Sequence, residues 1–240
     1  MIPLKDAIPS RSVPFVTVIL ISLNALVFLY QVALGDGGAE PGAVSPAHAF
    51  VLEFGATPCR LSGSCATGGD FPHPAVTVLT AMFMHGGLLH IFGNMLYLWI
   101  FGDNVEDVLG HARFLVLYLV SGTGAAVAQT LSDPTSRVPM VGASGAVSGV
   151  LGAYLLLFPY ASVLTLLMFG FFWRVVSIPA VIVLGFWIVV QFVSGYLTFS
   201  AAAAGRGETG GVAWFAHIGG FLVGMLLLAL IRPRQQSARL

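Results

Sequence analysis

The sequence predicts an all-α membrane protein, a bundle of six transmembrane helices around a buried polar cavity. The first observation is composition, because 57% of the 240 residues are hydrophobic and only 8% are charged, whereas soluble domains carry about 25% charged residues. The second is a series of apolar runs, most of them long enough to cross a bilayer. The third is a set of serine, histidine and asparagine residues inside these runs, where polar groups are costly and usually functional. The runs cover residues 13–34, 83–101, 114–131, 144–158, 178–197 and 212–231.

The charge balance gives no sign of a nucleic-acid partner. Ten basic and ten acidic residues leave a formal net charge of zero, and no basic block stands out. The first run, 13–34, is long enough to span a bilayer and lacks a small-residue cleavage site. We therefore interpret it as a membrane helix rather than a removable signal peptide. The lipid bilayer is the predicted environment of the chain.

The fourth run differs from the others because it begins at a serine motif and meets Pro159. A helix interior tolerates proline poorly, so we expect the helix to end there. The apolar piece that follows, 162–172, is too short to span and is expected to lie at the membrane edge. One long kinked helix remains as the alternative.

Basic residues orient the predicted bundle. Seven of the ten fall on the side that holds both chain ends, which the positive-inside rule assigns to the cytoplasm. These seven are Lys5, Arg11, Arg113, Arg174, Arg232, Arg234 and Arg239, and the other three are Arg60, Arg137 and Arg206. We expect a cytoplasmic segment 1–12, a membrane domain 13–232 with a first extracytoplasmic loop 35–82, and a cytoplasmic tail 233–240. A bacterial inner membrane is the expected location.

Helix rise places the polar residues of three helices at a similar depth. Ser144 and His217 each lie about 22 Å from the cytoplasmic end of their runs, at 1.5 Å per residue. In the second run, Asn94 and His90 lie roughly 14 and 20 Å from Asp103 by the same measure. The hydrocarbon layer is about 30 Å thick, so we expect these side chains to meet below its outer edge.

Ser144 and His217 are the minimum set for nucleophilic catalysis, because a serine hydroxyl needs a base to take its proton. Small residues accompany both, and small faces let helix backbones approach closely in lipid. These residues are Ser148 and Gly152 beside the serine, and Gly220 and Gly224 beside the histidine. Close packing would bring His217 within hydrogen-bond reach of Ser144. The alternative is that the glycines only pack helices. With no carboxylate in a matching layer, we infer a Ser–His dyad without a third member.

His90 and Asn94 stand four residues apart and therefore share a helix face. Two donors aimed at one point suit a developing oxyanion, whereas a polar helix–helix contact is the alternative. His85 lies off that face, and we expect it at the mouth of the helix. No histidine pair at metal-binding spacing is present, so a metal site is not predicted.

These motifs together resemble the rhomboid family of intramembrane serine proteases. The resemblance covers about 85–232 and is carried by His85…His90…Asn94, by Phe101-Gly102-Asp103-Asn104-Val105-Glu106, by Gly142-Ala143-Ser144-Gly145 and by Ala216-His217-Ile218-Gly219-Gly220…Gly224. It implies a six-helix bundle with a water-filled cavity open to the outside and no cofactor. It also implies that Ser144 is the nucleophile and His217 the general base. His90, Asn94 and the Ser144 backbone N–H would form the oxyanion hole.

The sequence departs from many rhomboids at two places. An aromatic residue usually stands four residues after the serine and stacks on the histidine, but Ser148 holds that position here. Trp214 or Phe215 is expected to substitute. No Trp-Arg pair precedes His85. The two cysteines, Cys59 and Cys65, lie in the first loop and form either a disulfide or two free thiols.

The resemblance implies cleavage of peptide bonds in or near transmembrane helices of other membrane proteins. Substrate helices with Gly or Pro near the cut should be preferred because their backbones open more easily. The glycine-rich loop 205–211 and the fifth helix beside it would form the access gate. A transporter is disfavoured because no repeat is visible. A catalytically inactive relative that binds membrane clients is the remaining alternative.

Overall fold

A computed structural model describes residues 1–35, 44–65, 72–203 and 212–232. Within these ranges the chain forms nine α-helices and three strands, together with a short 3₁₀ turn at Ala81–Phe83. The helices are α1 Phe15–Leu34, α2 Pro46–Phe54, α3 Pro58–Ser62, α4 Pro74–Thr80, α5 Leu88–Leu109, α6 His111–Ser132, α7 Ser144–Leu157, α8 Ala180–Ala203 and α9 Trp214–Ile231. The strands are β1 Ile2–Asp6, β2 Ser162–Phe169 and β3 Phe172–Pro179.

The helices form an apolar membrane bundle, which confirms the predicted class. Among the described residues, α1, α6, α8 and α9 are long and apolar enough to cross a membrane. The segments Pro74–Phe83 and Leu88–Leu109 pass the same test as a pair bent by 82°. Helix α7 is apolar but has only 14 residues. The described residues therefore give four spans, or five with the bent pair, and the predicted count of six stays a prediction.

Two helix boundaries show how local sequence limits the helices. The fourth run ends at Leu157, two residues before Pro159, so the kinked-helix alternative is wrong. The second run was predicted to start at 83, but α5 begins only at Leu88. Residues 84–87 form the bend, which is held by Gln31 of α1. The Gln31 Nε2 donates to the His85 carbonyl at 3.2 Å, and the Gln31 Oε1 accepts the His85 N–H at 3.0 Å.

A small antiparallel sheet is present that the sequence analysis did not predict. Its strand order is β1-β2-β3, so the first residues of the chain pair with the hairpin that connects α7 and α8. The segment 162–172, which was expected at the membrane edge as a piece too short to span, forms most of this hairpin. Apolar and β-branched residues alternate between the faces: Val163 and Thr165 are fully buried, while Trp173 and Val175 are exposed. Period-two alternation is the pattern of a strand, and it was hidden by the overall hydrophobicity.

Carboxylates at the end of α5 fasten the N-terminal segment to the bundle. The buried Glu106 accepts the backbone N–H groups of Val16 and Thr17 at 2.9 and 2.8 Å. These N–H groups belong to the first turn of α1 and have no partner within that helix. The Asp6 Oδ2 accepts from the Tyr154 hydroxyl at 2.6 Å and from the Asn104 amide at 3.0 Å. The motif at 101–106 is therefore a fastening point that lies apart from the serine.

Helix α7 is the centre of the core. All of its residues from Gly145 to Tyr154 are buried, and α5, α6 and α9 pack around it. Helix α8, by contrast, contacts mainly α9 and is largely exposed along its outer side. Ser144 therefore begins an enclosed helix, and a largely exposed span lies beside α9.

Candidate active site

One cavity of about 670 Å³ brings the predicted polar residues together. Residues from α5, α6, α7, α8 and α9 line it, among them the predicted nucleophile, base and oxyanion donors. These are Ser144, His217, His90 and Asn94. Residues 138–141, which precede α7, form part of its wall. The polar residues of three helices, which helix rise predicts at a similar depth, do line one common cavity.

Ser144 is the first residue of α7. Its backbone N–H therefore belongs to the first turn of the helix, where donors lack partners within the helix and the dipole is positive. Gly142, two residues earlier, has a φ of 127°, a region that side chains rarely adopt. A Cβ at this glycine would lie 2.7 Å from the His90 ring and 3.5 Å from the Ser144 Oγ. Glycine at 142 thus leaves room for the His90 ring and the serine hydroxyl to face one space.

The hydrogen bonds of His90 define which ring nitrogen points to the cavity as a donor. The Gly86 backbone N–H donates to the His90 Nδ1 at 3.3 Å. A nitrogen that accepts is unprotonated, so the neutral ring carries its proton on Nε2. The Asn94 Nδ2 donates to the His90 carbonyl at 3.1 Å, which leaves its second amide hydrogen available. Both side chains can therefore offer an N–H to a group in the cavity.

His85 lies in the bend before α5, near the mouth where it was expected, but it is almost fully buried. Its ring meets the His90 ring edge-on, with 5.2 Å between the centroids. Neither of its ring nitrogens meets the geometric criteria for a hydrogen bond with any of the described residues. It therefore supports His90 by ring contact.

The glycines on α7 and α9 place the two helices in direct backbone contact. A Cβ on Gly220 would overlap the Gly145 carbonyl, and one on Gly224 would overlap the backbone of Gly149. On its other side, Gly145 faces the Ala125 Cβ of α6, which would lie 2.5 Å from an added Cβ. The predicted pairing of the fourth and sixth apolar runs is thus present.

His217 lies in the first turn of α9 and is held by side chains of two helices. Its Nδ1 is 2.7 Å from the Gln191 Oε1 of α8. The Trp187 ring lies 6.0 Å from the His217 ring at an interplanar angle of 36°, and Trp214 meets it edge-on at 6.3 Å. Of the two predicted substitutes for an aromatic at 148, Trp214 contacts the histidine, whereas Phe215 lies against Gly195 of α8.

Trp187 and Gln191 were not identified from the sequence. The sequence held a signal, because a glutamine four residues after a tryptophan in an apolar helix shares its helix face. Within the apolar run 178–197, Gln191 is the one residue with a side-chain amide. Polar residues inside membrane helices are expected to have a partner, and here that partner is the predicted base.

The predicted hydrogen bond between Ser144 and His217 is not present among the described residues, although both side chains line one cavity. Catalytic hydrogen bonds are often long in unliganded proteins and tighten when substrate binds. The Ser148 hydroxyl donates to the Ser144 carbonyl at 2.6 Å, so it is occupied within the helix. The dyad itself therefore stays a prediction.

Three other predictions concern groups away from the serine. The described residues contain no group of three or more histidine, cysteine or acidic side chains that could hold a metal ion. Cys59 and Cys65 form a disulfide, which selects one of the two alternatives. The predicted access loop 205–211 and the tail 233–240 lie outside the described residues.

Known proteins are similar in sequence to the part of the chain that forms this cavity. The sequence profile of the Rhomboid domain matches residues 72–234. Rhomboid protein 1, mitochondrial, of Saccharomyces cerevisiae is 30% identical over 161 residues, which are 65% of this chain and 42% of the yeast protein. RHOMBOID-like protein 1 of Arabidopsis thaliana is 32% identical over 166 residues, 68% of this chain and 36% of the plant protein.

A bacterial protein also matches. Rhomboid protease GluP of Bacillus subtilis is 41% identical over 78 residues, 32% of this chain and 15% of that protein. The chain thus spans less than half the length of each of these three relatives. Because the domain match covers well over half of the chain and includes α5 to α9, the protein is an integral membrane protein that belongs to the rhomboid family.

Proposed function

We propose that the protein is an intramembrane serine endopeptidase that cleaves other membrane proteins in or near their transmembrane helices. The observation that carries the proposal is the single cavity lined by Ser144, His217, His90 and Asn94 inside an apolar helical bundle. Membership of a family that includes a protein named as a protease supports the reaction class. Mitochondrial and plant relatives leave the kind of membrane open, and the bacterial inner membrane belongs to this proposal.

The proposed reaction is acyl transfer to serine followed by hydrolysis. The Ser144 Oγ attacks the peptide carbonyl carbon while the His217 Nε2 takes the hydroxyl proton. The oxyanion that forms is held by N–H groups of His90, Asn94 and the Ser144 backbone. His217 then gives the proton to the leaving amine as the C–N bond breaks. Water attacks the ester, releases the new carboxylate and restores the serine.

Substrate selection follows from the helical state of the substrate. A transmembrane helix hides its carbonyls in internal hydrogen bonds, so it must unwind locally before a serine can attack. Helices with Gly or Pro near the outer end unwind at lower free energy. The proposed substrates are therefore membrane proteins with such residues close to the cleaved bond. That bond would enter the cavity from the outer side of the membrane, near which Ser144 and His217 are predicted to lie.

The test uses the detergent-purified protein and a panel of single-span membrane proteins. Mass spectrometry would map any cut in or near the spanning segment. Ser144→Ala and His217→Ala should each abolish cleavage, and the double variant should lose no more than either single one because the two act as a unit. Ser177→Ala, at an exposed position of β3 whose hydroxyl contacts the Ser162 hydroxyl, is the matched control and should cleave normally.

Three outcomes would contradict the proposal. Turnover by Ser144→Ala at the wild-type rate would exclude the serine mechanism, and strong inhibition by EDTA would favour a metal-dependent one. Stable binding of the panel proteins without any cleavage would favour an inactive protein that binds membrane clients.

A further inference from the structure

The predicted base of the dyad has a hydrogen-bond partner that lies on a different helix. Gln191 of α8 is 5% exposed, and its Oε1 lies 2.7 Å from the His217 Nδ1. Burying an amide in an apolar helix is unfavourable unless the group is hydrogen-bonded. The contact with His217 provides a hydrogen-bond partner for the oxygen of this amide.

The other end of the amide fixes its orientation. The Gln191 Nε2 donates to the Trp187 backbone carbonyl at 3.2 Å, one turn earlier in α8. An NH₂ group can donate to a carbonyl but a carbonyl oxygen cannot, so the Oε1 is the atom that faces the histidine. The contact between Gln191 and His217 is therefore one in which the ring donates and the amide accepts.

This direction decides the tautomer of the histidine. A neutral imidazole has one N–H, and a proton on Nδ1 leaves the lone pair on Nε2. A base that takes a proton from the Ser144 Oγ through Nε2 needs that tautomer. The Trp187 and Trp214 rings lie against the same imidazole and limit its rotation. Helix α8 thus supplies both an acceptor and a ring surface to a residue of α9.

We propose that Gln191 is a positioning residue of the Ser144–His217 dyad, holding His217 in the tautomer whose Nε2 is free to accept the serine proton. The proposal rests on the proposed protease function. A carboxylate plays this part in Ser–His–Asp triads. A neutral amide gives the same direction of hydrogen bonding without a second buried charge, which would be costly at this depth. It also accounts for the orientation of the base by a hydrogen bond to an amide rather than to a carboxylate.

The first experiment measures the tautomer of His217 in the unmodified protein, which requires no substrate. Nitrogen chemical shifts of histidine-labelled protein, recorded at a pH where His217 is neutral, distinguish a proton on Nδ1 from one on Nε2. The His217→Ala variant identifies the signal. A proton on Nδ1 is expected. A proton on Nε2 in the wild-type protein would overturn the proposal, whatever the activity.

The second experiment separates positioning from folding. Gln191→Met keeps the side-chain length but removes the acceptor, so kcat should fall at least about 10-fold with KM changed little. The loss should stay below the roughly 10⁴-fold effect of a wrong tautomer in a full triad, because the two tryptophan rings remain. Gln191→Glu keeps an oxygen acceptor and should retain more activity than Gln191→Met. Phe192→Met, at the adjacent exposed position of α8, is the control and should match wild type.

The outcomes distinguish this inference from the proposed function. Absence of cleavage by the wild-type protein would contradict the protease function, whereas the tautomer would still be measurable. An active wild type together with wild-type kcat in Gln191→Met would overturn the positioning role alone. If Gln191→Met unfolds, Gln191→Glu and the wild-type tautomer still decide the question.

Discussion

The hydrogen bond from the Gly86 N–H to the His90 Nδ1 has a direct chemical consequence, because it leaves the ring N–H on the cavity side. The sequence predicted His90 and Asn94 as a pair from their spacing alone. It could not predict the direction of this bond, which depends on the bend at residues 84–87. That bend is held by Gln31, a residue more than fifty positions away in the chain.

The oxyanion role gives a prediction for these two residues. His90→Ala and Asn94→Ala should each slow turnover with little change in KM, because loss of one oxyanion donor typically costs roughly 10²–10³ in kcat. Steady-state kinetics on a mapped substrate would measure this effect, with His48→Ala on the exposed side of α2 as the control. Unchanged kcat in both variants would identify the pair as a polar packing contact only.

At the scale of elements, the contact between α7 and α9 carries the alignment of the two predicted catalytic residues. The sequence gives the small residues on both helices, and the predicted pairing is present. The contact of α8 with His217 was missed, because the single amide in this hydrophobic run does not show which neighbouring helix it contacts. The sheet was missed for a related reason: uniform hydrophobicity hid the alternation in β2 and β3.

Backbone contact at two glycines makes them intolerant of even one methyl group. Gly220→Ala and Gly224→Ala should push α9 away from α7, since an added Cβ would overlap backbone atoms of Gly145 and Gly149. Overpacking of this kind costs about 1–3 kcal/mol, and a displacement near 1 Å can lower the rate about 10²-fold. Activity and thermal stability of each variant in detergent would be measured together.

Gly185 of α8 is the matched control for these variants. Apart from the backbone of its own helix, no atom of the described residues lies within 4 Å of the position that its Cβ would take. Gly185→Ala should keep wild-type activity and gain up to about 1 kcal/mol from helix propensity. Wild-type activity in Gly220→Ala or Gly224→Ala would mean that close packing of α7 and α9 does not align Ser144 with His217.

At the scale of the whole molecule, the N-terminal segment is fastened to the ends of α5 and α7. Burial raises the pKa of the Asp6 carboxyl above its usual value of 3.8, and the nearby Asp103 raises it further, while the Tyr154 hydroxyl opposes the shift. A carboxyl with a raised pKa in the folded state binds a proton more tightly when folded than when unfolded. Its contribution to the free energy of unfolding is therefore largest at low pH and falls as pH rises upward from about 4.

This sign gives a measurable pH dependence. Between pH 4 and 7, Asp6→Asn should remove part of the loss of stability that the wild-type protein shows as pH rises, because an amide does not titrate. Thermal melting in detergent at several pH values would compare the two proteins. An identical pH slope in Asp6→Asn and wild type would show that this carboxyl has an ordinary pKa.

The buried α7 and the helices packed around it enclose one cavity, which is lined by Ser144, His217 and the two predicted oxyanion donors. The sequence placed these four residues at one depth from helix rise alone. The ring contacts of His217 and its hydrogen bond with Gln191 could be identified only from the tertiary structure. Labelling with a fluorophosphonate probe tests the result directly, because such probes react with activated serines.

Peptide mapping by mass spectrometry after labelling is the most direct measurement of the central claim. The probe should attach to Ser144 in the wild-type protein, and labelling should be lost in Ser144→Ala and strongly reduced in His217→Ala. Ser177, an exposed serine whose hydroxyl contacts another serine hydroxyl, should remain unlabelled. Labelling at another serine, or equal labelling of Ser144 with and without His217, would contradict a Ser–His dyad in this cavity.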